Sequence, residues 1–283
     1  MYKKIILGTA NFDNLYGFRK KKFKNSDLRK ILELNSKVRN SIDTAIAYKN
    51  SPSILKKYSY FNQKIYSKLP CIFKNNINKK NFENKFKHHL HLMNVNKIFS
   101  FSFHNPKNLN SKRGYEIYNE ILKLKKKKII SKIGISLNTL EEIEFLKKYK
   151  FDLIQVPLNI FDQRFIKKKI INYLQKNKIK LQIRSIFLQG SLLEKKTPIK
   201  LLKFDKAFNN FRNFCERYDE TQLFHCINFI KTIKLIDGIV VGVENLNEFE
   251  EIIKIFKLKK KKIDYSGLKN NSKNLTMPSK WKK

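Results

Sequence analysis

Eight short apolar segments, each followed by a segment with helical periodicity, constrain the fold of this chain more than any other feature. Strands that alternate with helices usually pair in parallel, because each helix returns the chain to the same end of the sheet. The pattern therefore predicts one α/β domain, a (β/α)8 TIM barrel, over residues 1–283, with an irregular tail at 263–283. The apolar segments lie at residues 4–9, 41–45, 64–69, 97–104, 132–137, 152–159, 180–187 and 238–243.

An open, doubly wound sheet is the main alternative fold. Such sheets usually bind a dinucleotide through a glycine-rich turn after the first strand. Here the first strand runs into LGTANF, in which Gly8 is the one glycine, so the GxGxxG pattern is missing. The sequence therefore favours the closed barrel.

Polar residues stand at or just after the ends of the second, third and fourth predicted strands. Asp43 ends the second strand and Tyr48 follows in the next loop, while Lys68 ends the third strand and His104 ends the fourth. The loops that follow the strands of a parallel barrel form its active-site face. We therefore expect these four side chains to meet in one pocket.

These residue types suit the protonation of a carbonyl oxygen while a hydride reaches the carbonyl carbon. A phenol with a pKa of about 10 is a poor acid–base group near neutral pH, but a nearby ammonium stabilises its phenolate. Lys68 can act in this way on Tyr48, Asp43 can keep Lys68 charged, and His104 can donate a hydrogen bond to the carbonyl. The predicted catalytic residues are Asp43, Tyr48, Lys68 and His104.

The net charge of +39, from 62 Lys+Arg and 23 Asp+Glu, raises the alternative of a nucleic-acid-binding protein. Sequence-specific binders rely on the planar guanidinium of arginine, whereas nearly all basic residues here are lysines spread along the chain. An AT-rich coding bias accounts for this composition better than selection for nucleic acid does. No apolar run approaches the ~18 residues of a spanning helix, so we expect no membrane partner either.

The cysteines and the N-terminus indicate in which cellular compartment the protein is expected. The cysteines form no CxxC pair, which predicts reduced thiols in the cytoplasm. The apolar stretch at the N-terminus is too short for a signal peptide. The three cysteines are Cys71, Cys215 and Cys226.

Three histidines on one basic helix raise the question of a metal site. His88 and His91 share a helix face, with His89 between them. A surface cluster explains them more simply than a metal does, and we predict no metal site.

Beyond these patterns, the chain resembles the aldo-keto reductase family over nearly its whole length. The resemblance implies one (β/α)8 barrel that reduces a carbonyl (aldehyde, ketone or sugar) to an alcohol with NADPH, or alternatively NADH. It also implies the roles given above for the four catalytic residues, with Tyr48 as the general acid. The motifs that carry it are LGTANF (7–12), IDTAIAY (42–48), SKLP (67–70), HNP (104–106), IQVPLN (154–159), RSIFLQG (184–190), IVVGV (239–243) and MPSKW (277–281).

The same resemblance implies which residues hold the cofactor. Those that end the fifth and sixth strands would hold the nicotinamide carboxamide, those after the seventh would lie near the pyrophosphate, and those after the eighth near the adenosine phosphate. The implied cofactor residues are Thr9, Ser136, Gln155, Asn159, Ser185, Phe187, Gln189, Gly190, Gly242, Val243 and Glu244.

Several positions depart from the family pattern. Lys49 stands where glycine usually follows the tyrosine, Leu137 where asparagine often follows the serine, and Arg184 where many members place an aromatic residue against the nicotinamide. These departures leave open a non-enzymatic member that binds nucleotide as a regulatory protein. Glu244 and Asn245 replace the Ser or Thr and the Arg usual in members that prefer NADPH, so NADH stays open.

A basic segment after the first strand suggests the kind of substrate. RKKKFK (19–24) carries five positive charges in a loop that the barrel would place at its catalytic mouth. Such a cluster attracts anions. We therefore expect a small carbonyl substrate that is anionic, such as a phosphorylated or nucleotide-linked sugar.

Overall fold

A computed structural model describes residues 2–13, 23–38, 40–58 and 63–281 of the chain. Eight parallel strands form a closed barrel in which neighbours in sequence pair with each other and the last strand pairs with the first. The predicted single-domain (β/α)8 barrel is confirmed. The strands are β1 (Ile5–Gly8), β2 (Ser41–Asp43), β3 (Ile65–Leu69), β4 (Ile98–Phe103), β5 (Ile130–Ser136), β6 (Leu153–Pro157), β7 (Lys180–Arg184) and β8 (Ile236–Val241).

Helices cover the outside of the barrel and alternate with its strands, as the helical periodicity predicts. Short 3₁₀ turns extend several of the loops, among them Leu188–Leu193 and Pro278–Lys280. The α-helices are α1 (Asn25–Lys37), α2 (Ser51–Tyr58), α3 (Lys79–Met93), α4 (Lys112–Lys126), α5 (Phe145–Lys148), α6 (Lys168–Lys176), α7 (Asp205–Arg217), α8 (Gln222–Thr232), α9 (Leu246–Lys257) and α10 (Lys273–Thr276). Within the described residues, none of these helices is long and apolar enough to cross a bilayer.

Alternation along β3 divides its side chains between the barrel interior and the surrounding helices. The hydroxyl of Ser67 lies 2.7 Å from Nε2 of His89 on α3, whereas Lys68 pairs with Asp43 inside the barrel. His89 is only 2% exposed, so the prediction of a surface histidine cluster is wrong for this residue. His88 and His91 are exposed as predicted.

Aromatic side chains fill the layer between α3 and the barrel. Phe82 and Phe86 are buried on the apolar face of α3, and the ring centroids of Phe86 and Phe101 on β4 are 5.0 Å apart. Asn78 caps this helix, because its side chain accepts from the N–H of Asn81 while the Asn81 side chain accepts from the N–H of Asn78. Tight packing of this kind fixes the strand ends that carry the polar residues.

The last residues of the chain return across the C-terminal mouth of the barrel. The N–H of Asn270 donates to the carbonyl of Phe161 at 2.9 Å, and the Gln163 amide donates to the carbonyl of Tyr265 at 2.9 Å. Leu275 is fully buried. These contacts hold α10 and the turn after it beside the site described below.

Candidate active site

A cavity of about 340 Å³ opens at the C-terminal ends of the strands. The four predicted catalytic residues, Asp43, Tyr48, Lys68 and His104, all line it. They come from β2, the loop after β2, β3 and the first residue after β4, so adjacent strands bring them together. The expectation that they meet in one pocket agrees with this geometry.

Lys68 and Asp43 form a buried ion pair inside the barrel. The Nζ atom of Lys68 contacts Oδ1 of Asp43 and also donates to the carbonyl of Thr44 at 3.3 Å. The amide nitrogen of Gln155 donates to Oδ2 of Asp43 at 2.9 Å, and it lies 3.4 Å from Oε1 of Gln182. A buried ion pair is stable only when its remaining hydrogen-bonding groups are satisfied, and Thr44 and Gln155 supply those partners.

Burial lowers the pKa of Lys68, and the charge of Arg184 lowers it further, while Asp43 acts in the opposite direction. Asp43 therefore favours the cationic form of a lysine that burial would neutralise. The Nζ atom of Lys68 lies 5.7 Å from the centroid of the Tyr48 ring. The ammonium is thus a neighbour of a half-buried phenol that faces the cavity.

His104 follows β4, where its backbone N–H donates to the carbonyl of Leu69 at 3.0 Å. Burial lowers the pKa of His104 to about 3, with additional lowering by the charges of Lys68 and Arg184. The imidazole is therefore neutral near pH 7. A neutral imidazole has one N–H, which can donate to an oxygen without transferring a full proton.

Most of the predicted cofactor residues line the same cavity. The turn after β7 is unusual, because Ser185, Leu188 and Gln189 have φ values of 61°, 48° and 57°, and Gly190 has a φ of 91°. Left-handed backbone at non-glycine residues is strained and concentrates at ligand sites. The predicted cofactor residues in the lining are Gln155, Ser185, Phe187, Gln189, Gly190, Gly242 and Glu244.

Four predicted cofactor residues do not line the cavity, because they lie behind its surface. The Thr9 hydroxyl donates to the carbonyl of Asp43 at 3.1 Å, and the Asn159 amide donates to the carbonyl of Ser185 at 3.1 Å. Val243 is buried, and so is Ser136. Thr9 and Asn159 therefore support the loops that form the lining.

Sequence reasoning did not assign several residues that line the cavity. Asn11 belongs to the quoted LGTANF motif, and Met277 and Pro278 belong to MPSKW, so a signal for these was present. Ser279 belongs to the same MPSKW motif, and Arg184 stands where the family resemblance places an aromatic residue against the nicotinamide. Nothing in the spacing singled out Asn138, Arg164, Glu248 or Thr276. The unassigned lining residues include Asn11, Asn138, Arg164, Arg184, Glu248, Thr276, Met277, Pro278 and Ser279.

The three departures from the family pattern occupy different environments. Leu137 is fully buried, and its N–H donates to the carbonyl of Gln155 at 2.9 Å. Lys49 is exposed and is not part of the lining. Arg184 alone among the three lines the cavity. Two of the departures therefore leave the cavity wall unchanged.

The polar lining fits a nicotinamide dinucleotide. Oδ1 of Asn11, a lining residue, is buried and has no hydrogen-bond partner among the residues that the structure describes. A buried polar atom without a partner is costly, so such atoms mark places where a ligand can bind. The amide and hydroxyl groups of a dinucleotide could satisfy this atom.

Two other expectations concern charge and metals. In the basic segment RKKKFK, Arg19 to Lys22 lie outside the described residues, and Lys24 is exposed. Over residues 2–13, 23–38, 40–58 and 63–281, no three His, Cys, Asp or Glu side chains cluster as metal ligands would.

Comparison with known proteins finds solved structures with the same architecture. An aldo-keto reductase from Bacillus halodurans in its holo form has a TM-score of 0.74 at 13% identity, covering 94% of this chain and 90% of that one. A glycerol dehydrogenase from Gluconobacter oxydans has a TM-score of 0.67 at 16% identity, covering 90% and 87%. No curated protein gives a significant match. The model of the aldo/keto reductase family matches residues 4–270, and this chain belongs to that family.

Proposed function

We propose that this protein reduces a carbonyl group of an aldehyde, ketone or sugar to an alcohol, with a reduced nicotinamide dinucleotide as cofactor and Tyr48 as general acid. The observation that carries the proposal is the group of Asp43, Lys68, Tyr48 and His104 on one cavity wall, with Nζ of Lys68 5.7 Å from the Tyr48 ring. A protein that only binds nucleotide has no need for all four.

Each side chain has a distinct role in this scheme. Asp43 keeps Lys68 protonated, and the ammonium favours the phenolate that Tyr48 becomes after it gives its proton to the developing alkoxide. Neutral His104 donates a hydrogen bond to the carbonyl oxygen and fixes its angle. The bound cofactor supplies the hydride.

The residues that would hold the cofactor follow the outline of the cavity. Asn11 offers an unsatisfied polar atom, the strained turn at 185–190 offers backbone groups, and Gly242 and Glu244 follow the end of β8. These residues support nicotinamide binding.

The choice of cofactor depends on two carboxylates. The family resemblance favours NADPH, but Glu244 and Glu248 both line the cavity, and the N–H of Glu244 donates to Oε2 of Glu248 at 2.6 Å. Carboxylates repel a 2′-phosphate and can accept a hydrogen bond from a ribose hydroxyl. On the family resemblance we propose NADPH as the cofactor. NADH is the alternative, and the carboxylates of Glu244 and Glu248 favour it.

The remaining expectations about substrate and location also stay proposals. We propose a small carbonyl substrate that is anionic or linked to a sugar, and a cytoplasmic protein. The three cysteines are free thiols in the structure, which is consistent with a reducing compartment.

A fluorescence titration of the purified protein with NADPH and with NADH tests the proposal, followed by cofactor oxidation with a panel of carbonyl compounds. We expect saturable binding of at least one cofactor and carbonyl-dependent oxidation of it. Failure to bind either cofactor at low as well as high salt would refute the oxidoreductase function. Binding without turnover of any carbonyl would favour the regulatory alternative.

A further inference from the structure

Arg184 brings a positive charge into the cavity at the end of β7. Its strand neighbour on β6 is Pro157, and Gln182, two residues earlier, reaches Gln155 inside the barrel. Alternate residues of a strand face the same side. Arg184 therefore faces the interior in the layer nearest the mouth, in agreement with its place in the cavity lining.

Neutral side chains hold the guanidinium of Arg184. Its Nη2 donates to Oδ1 of Asn138 at 2.6 Å, and its Nη1 donates to Oγ of Ser185 at 3.4 Å. In the described part of the chain, no carboxylate lies within 4.0 Å of this guanidinium. Arg164 also lines the cavity, but Oδ2 of Asp162 lies 2.6 Å from its Nη2 and neutralises it.

The charge of Arg184 acts on the proposed reacting residues. It lowers the pKa of Lys68 and the pKa of His104, in each case after burial. Among the described residues of the lining, Lys68 pairs with Asp43 and Arg164 pairs with Asp162, whereas the guanidinium of Arg184 has no carboxylate in contact with it. A bound anion would pair with this guanidinium.

We propose that Arg184 is an anion-binding subsite for the substrate, and that it holds a carboxylate or phosphate group of the carbonyl compound beside Tyr48 and His104. This inference rests on the proposed function. A guanidinium has more N–H donors than its contacts with Asn138 and Ser185 use, and its planar fork matches both kinds of oxyanion. Asn138 is a positioning residue, because its side chain fixes the orientation of the guanidinium.

The competing occupant is a phosphate of the cofactor. Arg184 donates to Ser185, which the family resemblance places near the cofactor pyrophosphate. However, Arg184 also acts on Lys68 and His104, where the hydride must arrive, and the cofactor phosphates lie away from the hydride-donating ring. The substrate therefore accounts better for an anion at this position. Measurements of cofactor affinity separate the two cases.

Carbonyl pairs that differ in charge provide the test. One pair is glyceraldehyde 3-phosphate and glyceraldehyde, and the other is succinic semialdehyde and butanal. Each pair is compared in wild type, Arg184→Gln and Arg184→Lys. Arg217→Gln, at an exposed residue that ends α7, is the control. We expect the ratio of kcat/KM for the charged to the uncharged member to fall by ~30-fold in Arg184→Gln, as loss of a charge-assisted hydrogen bond does. Arg184→Lys should restore part of the ratio, and Arg217→Gln should keep it.

Two results would overturn the proposal. One is an unchanged ratio in Arg184→Gln. The other is an equal loss for both members of each pair together with weaker binding of the cofactor, which would assign Arg184 to a cofactor phosphate. We expect cofactor dissociation constants in Arg184→Gln to stay within about threefold of wild type.

A binding measurement separates this inference from the proposed function. Calorimetric titration with inorganic phosphate, at a salt concentration high enough to screen the surface lysines, needs no turnover. If no carbonyl is reduced, but wild type binds phosphate and Arg184→Gln does not, the subsite stands and the reductase function fails. Wild-type protein that binds no phosphate, or a variant that binds it equally well, overturns the subsite.

Discussion

The chemistry proposed for this protein depends on the charge of one residue, Lys68. Burial and the nearby Arg184 lower its pKa, and Asp43 opposes them through an ion pair that Gln155 completes. Sequence motifs were sufficient to predict the four residues of the cavity wall. They could not predict the role of Gln155 in that wall, because its contact with Asp43 joins strands on opposite sides of the barrel.

Asp43→Asn should therefore impair turnover through Lys68. Without the carboxylate, burial and Arg184 act unopposed, so Lys68 loses its charge near neutral pH and Tyr48 loses its activating neighbour. We expect kcat to fall ~100-fold at pH 7, the low end for loss of acid–base catalysis. The loss should shrink relative to wild type as pH falls, because acid restores the ammonium.

A profile of kcat against pH checks this prediction. Asp43→Glu keeps a carboxylate and should recover part of the activity. Asp237→Asn removes a carboxylate that pairs with Lys180 at 3.0 Å at the opposite end of the barrel, so it serves as the control. Equal kcat in Asp43→Asn and wild type at neutral pH would contradict the role given to Asp43.

At the scale of elements, α3 and β3 show how neighbouring residues of a strand serve different purposes. Ser67 anchors α3 through His89, while Lys68 faces the cavity. Phe82, Phe86 and Met93 form the buried apolar face of α3. His89 lies on that face at helical spacing from Phe86, but its polarity suggested a surface position. Only the contact with Ser67, on a different element, explains its burial.

The buried imidazole of His89 should make the stability of the protein depend on pH. Burial lowers its pKa to about 4, with a smaller effect from His88. Between that value and about 6.5, the unfolded chain binds the proton and the folded chain does not. The stabilisation is therefore complete above about pH 6.5 and is lost as pH falls toward 4.

Denaturant unfolding at pH 7 and pH 5 measures this effect. We expect His89→Gln to reduce the difference in unfolding free energy between the two pH values by about 2 kcal/mol. His91→Gln, on the exposed face of the same helix, should leave the difference unchanged. The same pH dependence in His89→Gln and wild type would show that the imidazole is not held neutral by the fold.

At the scale of the whole molecule, the alternation of strands and helices was enough to predict the closed barrel, because that pattern is local. The predicted strand at 180–187 continued past Arg184, where the chain instead enters the left-handed turn at 185–190. Apolar residues continue through that turn, so composition could not mark the end of the strand. The tail was expected to be irregular, and its position across the mouth depends on long-range contacts such as that of Asn270 with Phe161.

The net charge of +39 should produce nucleic-acid binding without specificity. Lysines spread along the chain attract phosphates by counterion release, and this attraction weakens steeply with salt. We expect the affinities for two duplexes of unrelated sequence, measured by fluorescence anisotropy across a salt series, to agree within about threefold. A sequence preference that persists at high salt would instead indicate a nucleic-acid-binding function.

Replacement of Tyr48 by phenylalanine tests the account most directly. Single-turnover oxidation of the cofactor that binds more tightly should be ~100- to 10,000-fold slower in Tyr48→Phe, because the general acid is lost. The cofactor dissociation constant of Tyr48→Phe should match that of wild type. The control is Tyr115→Phe, at a residue on α4 that is 54% exposed, and it should match wild type in both the oxidation rate and the cofactor dissociation constant. Oxidation at the wild-type rate in Tyr48→Phe would contradict the central claim that Tyr48 protonates the carbonyl oxygen.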